Sequence, residues 1–544
     1  MIAPRIAAAA AMPGTAPSPP APAAQDCAAS RITRGETLLL AAGVLAFGVA
    51  AYALGQSNNW DLRNYHWYDG WAWLHGRGLQ DLAAAQSQTW FNPLLPALLY
   101  ALLSSVKPAL GTFVLGAIQG LNLLPLQRIA RRLLPRDRPW LAFAVAVVGA
   151  TGATQRGELG ATFGDTLVSL PLLCALALLL APQPSRRRIA AAGALLGLAV
   201  GLKLTAAPIA AGIGLAGLVA CARRADARRA CLALCGTALL VALLVQGPWM
   251  WQLWRDFHNP LFPQFGPLFG GDFVAPDGLR DTRWMPRTAL DWLFYPLCWA
   301  SAPRRVSELW FLDLRVPLAY AALLALPLWW RRARAQAERP QALALLLVAF
   351  AASYLLWLAL FGYYRYLAVV EMLAPLVFCL AALTLPRRSG LIAAAGLLVV
   401  VGLATREPRW GRLKTYGGDY VSATLPALAQ QHDALVVFGD REPLGFLAPA
   451  FPDGTRFVRV LGNIIGPPLP RWALDDAVQQ RIRAHRGPLL LLAVHTDDDV
   501  LREVLQQHGL ELQPQTCARI DSNLFTAREA RPLLCELHRQ TTAP

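Results

Sequence analysis

The chain has 544 residues, 55% hydrophobic and 15% charged, with a mean hydropathy of +0.38. A soluble domain runs to about 100 to 200 residues at about 25% charged, so this chain is too long and too apolar to be one. Charge this sparse fits poorly with a nucleic-acid enzyme, a collagen-like fibre or a disordered regulator, and a membrane protein becomes the default.

The formal charge is +16 and the isoelectric point about 9.9, and the three lysines are Lys107, Lys203 and Lys414, so arginine carries most of the positive charge. A nucleic-acid partner would need that charge on one surface. Instead it recurs in clusters between apolar runs: Arg128 to Arg138, Arg186 to Arg188, Arg223 to Arg229, Arg331 to Arg339, and Arg387 with Arg388. Short basic loops between apolar spans follow the positive-inside rule.

Residues 1 to 30 are rich in Ala and Pro and read as a disordered cytoplasmic tail, because no continuous apolar run ends at a clear cleavage site. The first span is then an uncleaved anchor. At about 20 apolar residues per crossing, about 11 spans are expected: 36 to 55, 108 to 126, 139 to 155, 166 to 181, 188 to 203, 205 to 222, 230 to 249, 316 to 330, 341 to 361, 366 to 385 and 391 to 404. Arg31 and Arg34 put the N-terminus inside, and each arginine cluster then falls on the cytoplasmic side. Counting Pro93 to Val106 as a crossing would put the Arg128 to Arg138 loop outside, so that stretch reads as an interfacial or re-entrant helix.

Three parts then face outward: loops of about 56 to 107 and 250 to 315, and residues 405 to 544. In the last, apolar runs at Ala434 to Phe438, Phe457 to Leu461 and Pro488 to Ala493 alternate with helix-like stretches at Asp475 to His485 and Asp498 to His508. That alternation predicts a small α/β domain. The fold class is thus mainly α, a polytopic bundle over 31 to 404 with an extracytoplasmic α/β domain. Cys517 and Cys535 lie in that domain, where an oxidising compartment permits a disulfide, and the sequence leaves both redox states open. No CxxC, HExxH, Walker A or GxSxG pattern occurs.

The first outside loop carries Asn58-Asn-Trp-Asp61-Leu-Arg-Asn-Tyr65-His66-Trp-Tyr-Asp69. A helix from about Trp60, capped by Asn58 or Asn59, would put Asp61, Tyr65 and Asp69 on one face. Trp67, Tyr68 and Trp71 would dip into the lipid interface. The competing reading is a belt helix with ordinary solvated acids. Farther on, Gln86, Gln88 and Asn92 offer hydrogen bonds to hydroxyls, or serve only as polar loop residues. Asp165 opens the fourth span, where a carboxylate caps the helix, faces a wet cavity, or does both.

Lys203 interrupts an otherwise apolar run from Ile189 to Ala222, which must turn there. Its ammonium either binds phosphate at the headgroup level or snorkels. Arg365 stands at an outer boundary and Glu371 almost two helical turns inside. An intramembrane acid is a functional candidate, and the structural alternative is an ion pair with Arg365 or Lys203. Arg255 to Pro263, with its prolines and aromatics, suggests a rigid entrance hugging the membrane.

With these residues in place, the chain resembles the GT-C superfamily, polytopic glycosyltransferases that take sugars from polyprenyl-phosphate carriers. The resemblance covers roughly residues 34 to 405. It rests on Asp61, Asn92-Pro-Leu-Leu-Pro, Asp165, the Gly201-Leu-Lys203-Leu-Thr205 turn, Asn259-Pro-Leu-Phe-Pro263 and Arg365-Tyr366. It implies that Asp61 is catalytic base and that Lys203 and Arg365 bind the departing phosphate, with Asp165, Asp69, Tyr65, His66, Asn92 and Glu371 in support. No cofactor is expected. The loop has one Asp at position 61 rather than an adjacent acidic pair, so a metal is less supported, although His66, Asp69 and Asp165 could assemble a site.

The implied partners are a polyprenyl-phosphate sugar donor, a glycan, lipid or protein acceptor and membrane lipids, with no nucleic acid. The implied location is a bacterial inner membrane, with chemistry on the outer face. A flippase or transporter of lipid-linked glycans is the alternative, although no obvious inverted repeat is present. An oligosaccharide ligase or polymerase is a third reading.

Overall fold

The computed structural model describes residues 34 to 540 apart from 79, 271, 272 and 275 to 280, so the tail expected over residues 1 to 30 lies outside the described residues. Among the described residues, seven helices are long and apolar enough to cross a membrane: Arg34–Leu54, Pro108–Leu133, Leu204–Ala222, Ala227–Phe257, Pro340–Leu360, Tyr364–Ala382 and Arg387–Ala404. Shorter apolar helices at Leu94–Ser105, Pro139–Gly149, Asp165–Leu179 and Arg315–Leu324 accompany them. The chain is a mainly helical, multi-pass membrane protein.

Two expected spans are interrupted. Over 139 to 155 the helix stops at Gly149, and a separate short helix, Ala153–Glu158, begins after the extended residue Gly152. Over 316 to 330 the helix Arg315–Leu324 gives way at Ala325 to Leu326–Gln336, with Pro327 in the new first turn. Proline has no N–H to donate, and a first turn asks for none.

The run from Ile189 turns as the sequence predicts. Helix Arg186–Leu202 starts on the Ser185 cap and ends at the extended residue Lys203, and Leu204–Ala206 leads into the next helix. Gly193, Gly197 and Gly201 recur every fourth residue against helix Ala227–Phe257. A Cβ at Gly193 or Gly197 would overlap the carbonyl oxygen of Leu234 or Ala238, and one at Gly201 would lie 2.7 Å from Val245 Cβ. Between apolar helices in lipid such close backbone contact replaces the hydrophobic drive. The stripe runs up to the end of helix Arg186–Leu202, where Lys203 stands.

After the last long helix the chain forms a five-stranded sheet. Its strands are β1 (Leu435–Phe438), β2 (Arg456–Arg459), β3 (Leu489–Ala493), β4 (Leu510–Arg519) and β5 (Leu533–Arg539), in the order β2-β1-β3-β5-β4. β1 is parallel to β2 and β3, and β5 runs antiparallel to β3 and β4. β1 and β3 are buried along their whole length, as their unbroken apolar runs require. Helices Ala473–Ala484 and Asp499–Gln507 fall close to their predicted places. Cys517 on β4 is disulfide-bonded to Cys535 on β5.

The sheet and the segment that follows helix Arg34–Leu54 share one core. Gln56–Ser57 pairs antiparallel with Arg412–Leu413, and Leu82 bridges to Val458. Trp67, Tyr68 and Trp71 do not dip into lipid: all three are buried in a cluster with Tyr420, Val436, Phe438 and Phe457. The sequence shows their amphipathic tips, but the sheet covers them. Arg459, fully buried, donates to the carbonyls of Ala83, Ala84 and Asp440 and staples the two segments together.

Candidate active site

Four charged residues from four separated segments meet at one place. Asp61 lies on the helical turn capped by Asn59, whose Oδ1 accepts from Leu62 N at 2.8 Å. Asp165 is the first residue of its helix, after Gly164 at φ 86°, a left-handed conformation that glycine reaches without strain. Lys203 is the turn between two helices, and Arg365 sits on the tight turn Tyr364–Leu367.

The Arg365 guanidinium bridges both carboxylates, with Nη2 3.0 Å from Asp61 Oδ2 and Nε 3.2 Å from Asp165 Oδ2. Lys203 Nζ is 2.6 Å from Asp165 Oδ1 and donates to Phe163 O at 2.7 Å. The Arg365–Asp165 contact lacks hydrogen-bond alignment, which leaves Arg365 Nε and Asp165 Oδ2 without a hydrogen-bond partner. Phe163, Tyr363, Tyr366 and Trp410 wall the guanidinium, the nearest ring centroid, that of Phe163, lying 4.4 Å away. Two cations and two anions balance, but each is largely desolvated. Such burial is weak evidence for stability, and at the ends of membrane helices it marks a functional candidate.

Burial pushes the Asp61 carboxyl up, but Arg365 foremost, with Lys203, holds it below the ordinary carboxylate range. Asp61 is therefore ionised at neutral pH. Tyr65 donates its hydroxyl to Asp61 Oδ2 at 3.3 Å, and burial with the Asp61 charge keeps that phenol protonated. His66 lies against Thr162 Oγ1 at 3.1 Å, and burial lowers its value to about 3, so its imidazole is neutral.

Asp69 does not share the face of Asp61 and Tyr65. Residues Leu62–His66 wind as a wider π-turn, which shifts the register after Tyr65. Asp69 is buried with both carboxylate oxygens unpartnered, and burial raises its value well above the carboxylate range. Asn92 serves the scaffold: it accepts from Leu94 N at 2.9 Å and donates to Gly201 O at 2.9 Å, tying the first segment to the Lys203 turn.

Glu371 pairs with neither Arg365 nor Lys203. Its carboxylate accepts from Thr154 N and from Thr154 Oγ1 at 3.0 Å, while Asp313 Oδ2 accepts from Ala153 N at 2.9 Å. Two acids thus receive the orphan N–H groups opening helix Ala153–Glu158, and Arg315 answers Asp313 at 2.5 Å. The capping alternative for Asp165 is not taken, because Gly164 holds the cap position and no side chain bonds there. The Asn259 segment is packed rather than open, with Phe262 buried against Phe257 and Trp90. Asp440 accepts from Glu442 N at 3.0 Å and from Val494 N, closing the ends of β1 and β3.

Two further residues of the cluster are inconspicuous in the sequence. Glu158, fully buried, accepts from Thr166 N at 3.2 Å beside Asp165, and burial with the Asp165 charge raises its carboxyl well above the usual range. Trp410 comes from beyond the last span and packs 5.1 Å from Phe163. Neither stands out in sequence, although the Tyr-Tyr-Arg365-Tyr run announces an aromatic setting. Among the described residues no group of three or more His, Cys, Asp or Glu could hold a metal ion, so His66, Asp69 and Asp165 do not assemble one.

No protein-family model and no curated protein matches the chain by sequence. Among solved structures it is similar to ArnT from Cupriavidus metallidurans bound to undecaprenyl phosphate, at 12% identity and a TM-score of 0.46 over 93% of this chain and 98% of that one. The apo ArnT structure gives 12% and 0.43 over 92% and 98%. The arabinofuranosyltransferase AftD from Mycobacteria gives 14% and 0.46, over 93% of this chain and 40% of AftD. At these scores the likeness is one of outline, and the chemistry of the site is read from its own residues.

Proposed function

We propose that the chain is an inverting membrane glycosyltransferase that moves a sugar from a polyprenyl-phosphate carrier to an acceptor on the extracytoplasmic face. The observation that carries this reading is the meeting of Asp61, Asp165, Lys203 and Arg365 within ion-pair distance at one end of the bundle. The ionised Asp61 takes the proton of an acceptor hydroxyl. The acceptor oxygen bonds to the anomeric carbon as the bond from that carbon to the phosphate oxygen breaks, and the electron pair leaves with the lipid phosphate. Lys203 and Arg365 stabilise the charge gathering there, and general-base help contributes about a hundred- to ten-thousand-fold.

Asp165 holds both cations in place while no phosphate is bound. The chain crosses the membrane about 11 times in this reading, with residues 31 to 404 as the catalytic module, 405 to 544 as an outer domain and a bacterial inner membrane as its site. Native mass spectrometry of the purified chain with undecaprenyl phosphate tests the donor side. The intact protein is expected to retain the lipid and Lys203→Ala to lose it. Equal retention by both would remove Lys203 from the phosphate site.

A further inference from the structure

Beside the charged cluster lies an uncharged one, made where the first outside segment meets the sheet. Asn64, three residues after Asp61 and fully buried, donates to Ala85 O at 3.1 Å and to Gln88 Oε1 at 3.2 Å. Gln86 donates to Asn64 Oδ1 at 3.3 Å and Arg441 O at 3.0 Å, and accepts from Asn463 N at 2.9 Å. Its backbone is left-handed, φ 58°, with no glycine to excuse it. Such a conformation persists only where the surroundings over-determine it, and it is commonest at ligand sites.

The buried amides orient two outer ones. Gln88 Oε1 also accepts from Ser87 Oγ at 3.1 Å and Asn463 Nδ2 at 3.3 Å, and Asn463 Oδ1 accepts from Ser87 N at 3.0 Å. Gln88 is half-buried and Asn463 exposed. The Gln88 oxygen is committed to three donors, which leaves its amide nitrogen to serve a ligand. The surface is also wired to the base: Phe91 N donates to Gln88 O at 2.9 Å, the half-buried Phe91 ring meets Tyr65 edge-on at 5.9 Å, and Tyr65 holds Asp61.

We infer that Gln88 and Asn463, held in place by the buried amides of Asn64 and Gln86, form the acceptor-recognition surface, and that the acceptor is a neutral, hydroxyl-rich glycan. Carboxamides carry donors and an acceptor side by side, which suits neighbouring hydroxyls that both give and take hydrogen bonds. The cation beside Gln86, Arg459, is fully buried and spends its guanidinium on the carbonyls of Ala83, Ala84 and Asp440, and Arg441 donates to Pro467 O, so neither is offered to an acidic sugar. The inference rests on the transferase reading above, but its failure is separable from that of the lipid-donor assignment.

The test is a titration of the purified full chain with neutral trisaccharides (maltotriose, mannotriose and xylotriose), with trigalacturonate, and separately with undecaprenyl phosphate. At least one neutral trisaccharide is expected to bind and trigalacturonate not to. The Gln88→Ala/Asn463→Ala variant should raise Kd about tenfold, as loss of one or two hydrogen bonds implies. Asn463→Asp, a change at an exposed position that leaves the fold intact, should weaken neutral binding likewise. Preference for trigalacturonate, unchanged Kd in both variants, or no trisaccharide bound would each overturn the inference. If undecaprenyl phosphate binds and no trisaccharide does, the acceptor surface alone fails. If a trisaccharide binds and the lipid does not, the donor assignment alone fails.

Discussion

Arg365 Nη2 lies 3.0 Å from Asp61 Oδ2, so the proposed base and a proposed phosphate-binding cation neutralise each other before any substrate arrives. In the proposed reaction an arriving lipid phosphate would compete for Arg365, and drawing the guanidinium toward phosphate would free Asp61 to accept a proton.

That coupling gives a pH prediction with a definite sign. Asp61 is held below the ordinary carboxylate range in the folded chain. The stability it contributes is therefore present above the unfolded carboxyl value and lost as pH falls through the depressed folded value. In Arg365→Gln the carboxyl rises, and the acid limb of transfer activity should move to higher pH. A pH profile of sugar transfer checks this, and an unmoved acid limb would separate Asp61 from the titration.

Lys203→Met should weaken retention of polyprenyl phosphate about ten- to a hundredfold, the size of a charge-assisted hydrogen bond. Lys203→Arg should recover part of it. Lipid titration measured by native mass spectrometry reads both.

Gly197→Leu should lower thermal stability by about 1 to 3 kcal/mol or more, because its side chain would enter the backbone of helix Ala227–Phe257. Gly396→Ala meets no atom within 4 Å and should leave the melting temperature unchanged. Thermal unfolding in detergent distinguishes the two.

Glu371→Gln should destabilise the short helix Ala153–Glu158 without moving the acid limb of the activity profile, since Glu371 bonds Thr154 and not the charged cluster. A shifted acid limb would place Glu371 in the chemistry after all.

The Cys517–Cys535 bridge joins neighbouring strands across a separation of 18 residues. Its reduction should cost the sheet about 3 kcal/mol. Proteolysis of the region after residue 404, with and without reductant, reports the difference.

Much of the site was legible because charge inside apolar sequence is conspicuous. Lys203, Asp165 and Arg365 stood out in that way, and Asp61 with Tyr65 followed from helical spacing. Asp69 was misplaced because a π-turn cannot be read from spacing that assumes a regular helix. Glu371 was correctly buried but wrongly paired, since depth along a span says nothing about which neighbour its side chain meets. The strands β1 to β3 were legible as apolar runs, whereas their pairing with Leu82 and the reach of Trp410 into the site depend on contacts hundreds of residues apart.

The most direct measurement is mass spectrometry of lipid-linked sugars and envelope glycans in cells lacking the protein, carrying it intact, or carrying Asp61→Asn. Deletion and Asp61→Asn are both expected to lose one defined sugar and accumulate its polyprenyl-phosphate donor, with the variant still present in the membrane. Normal glycans in Asp61→Asn, with donor stranded on the cytoplasmic leaflet only in the deletion, would contradict it and point to lipid transport instead.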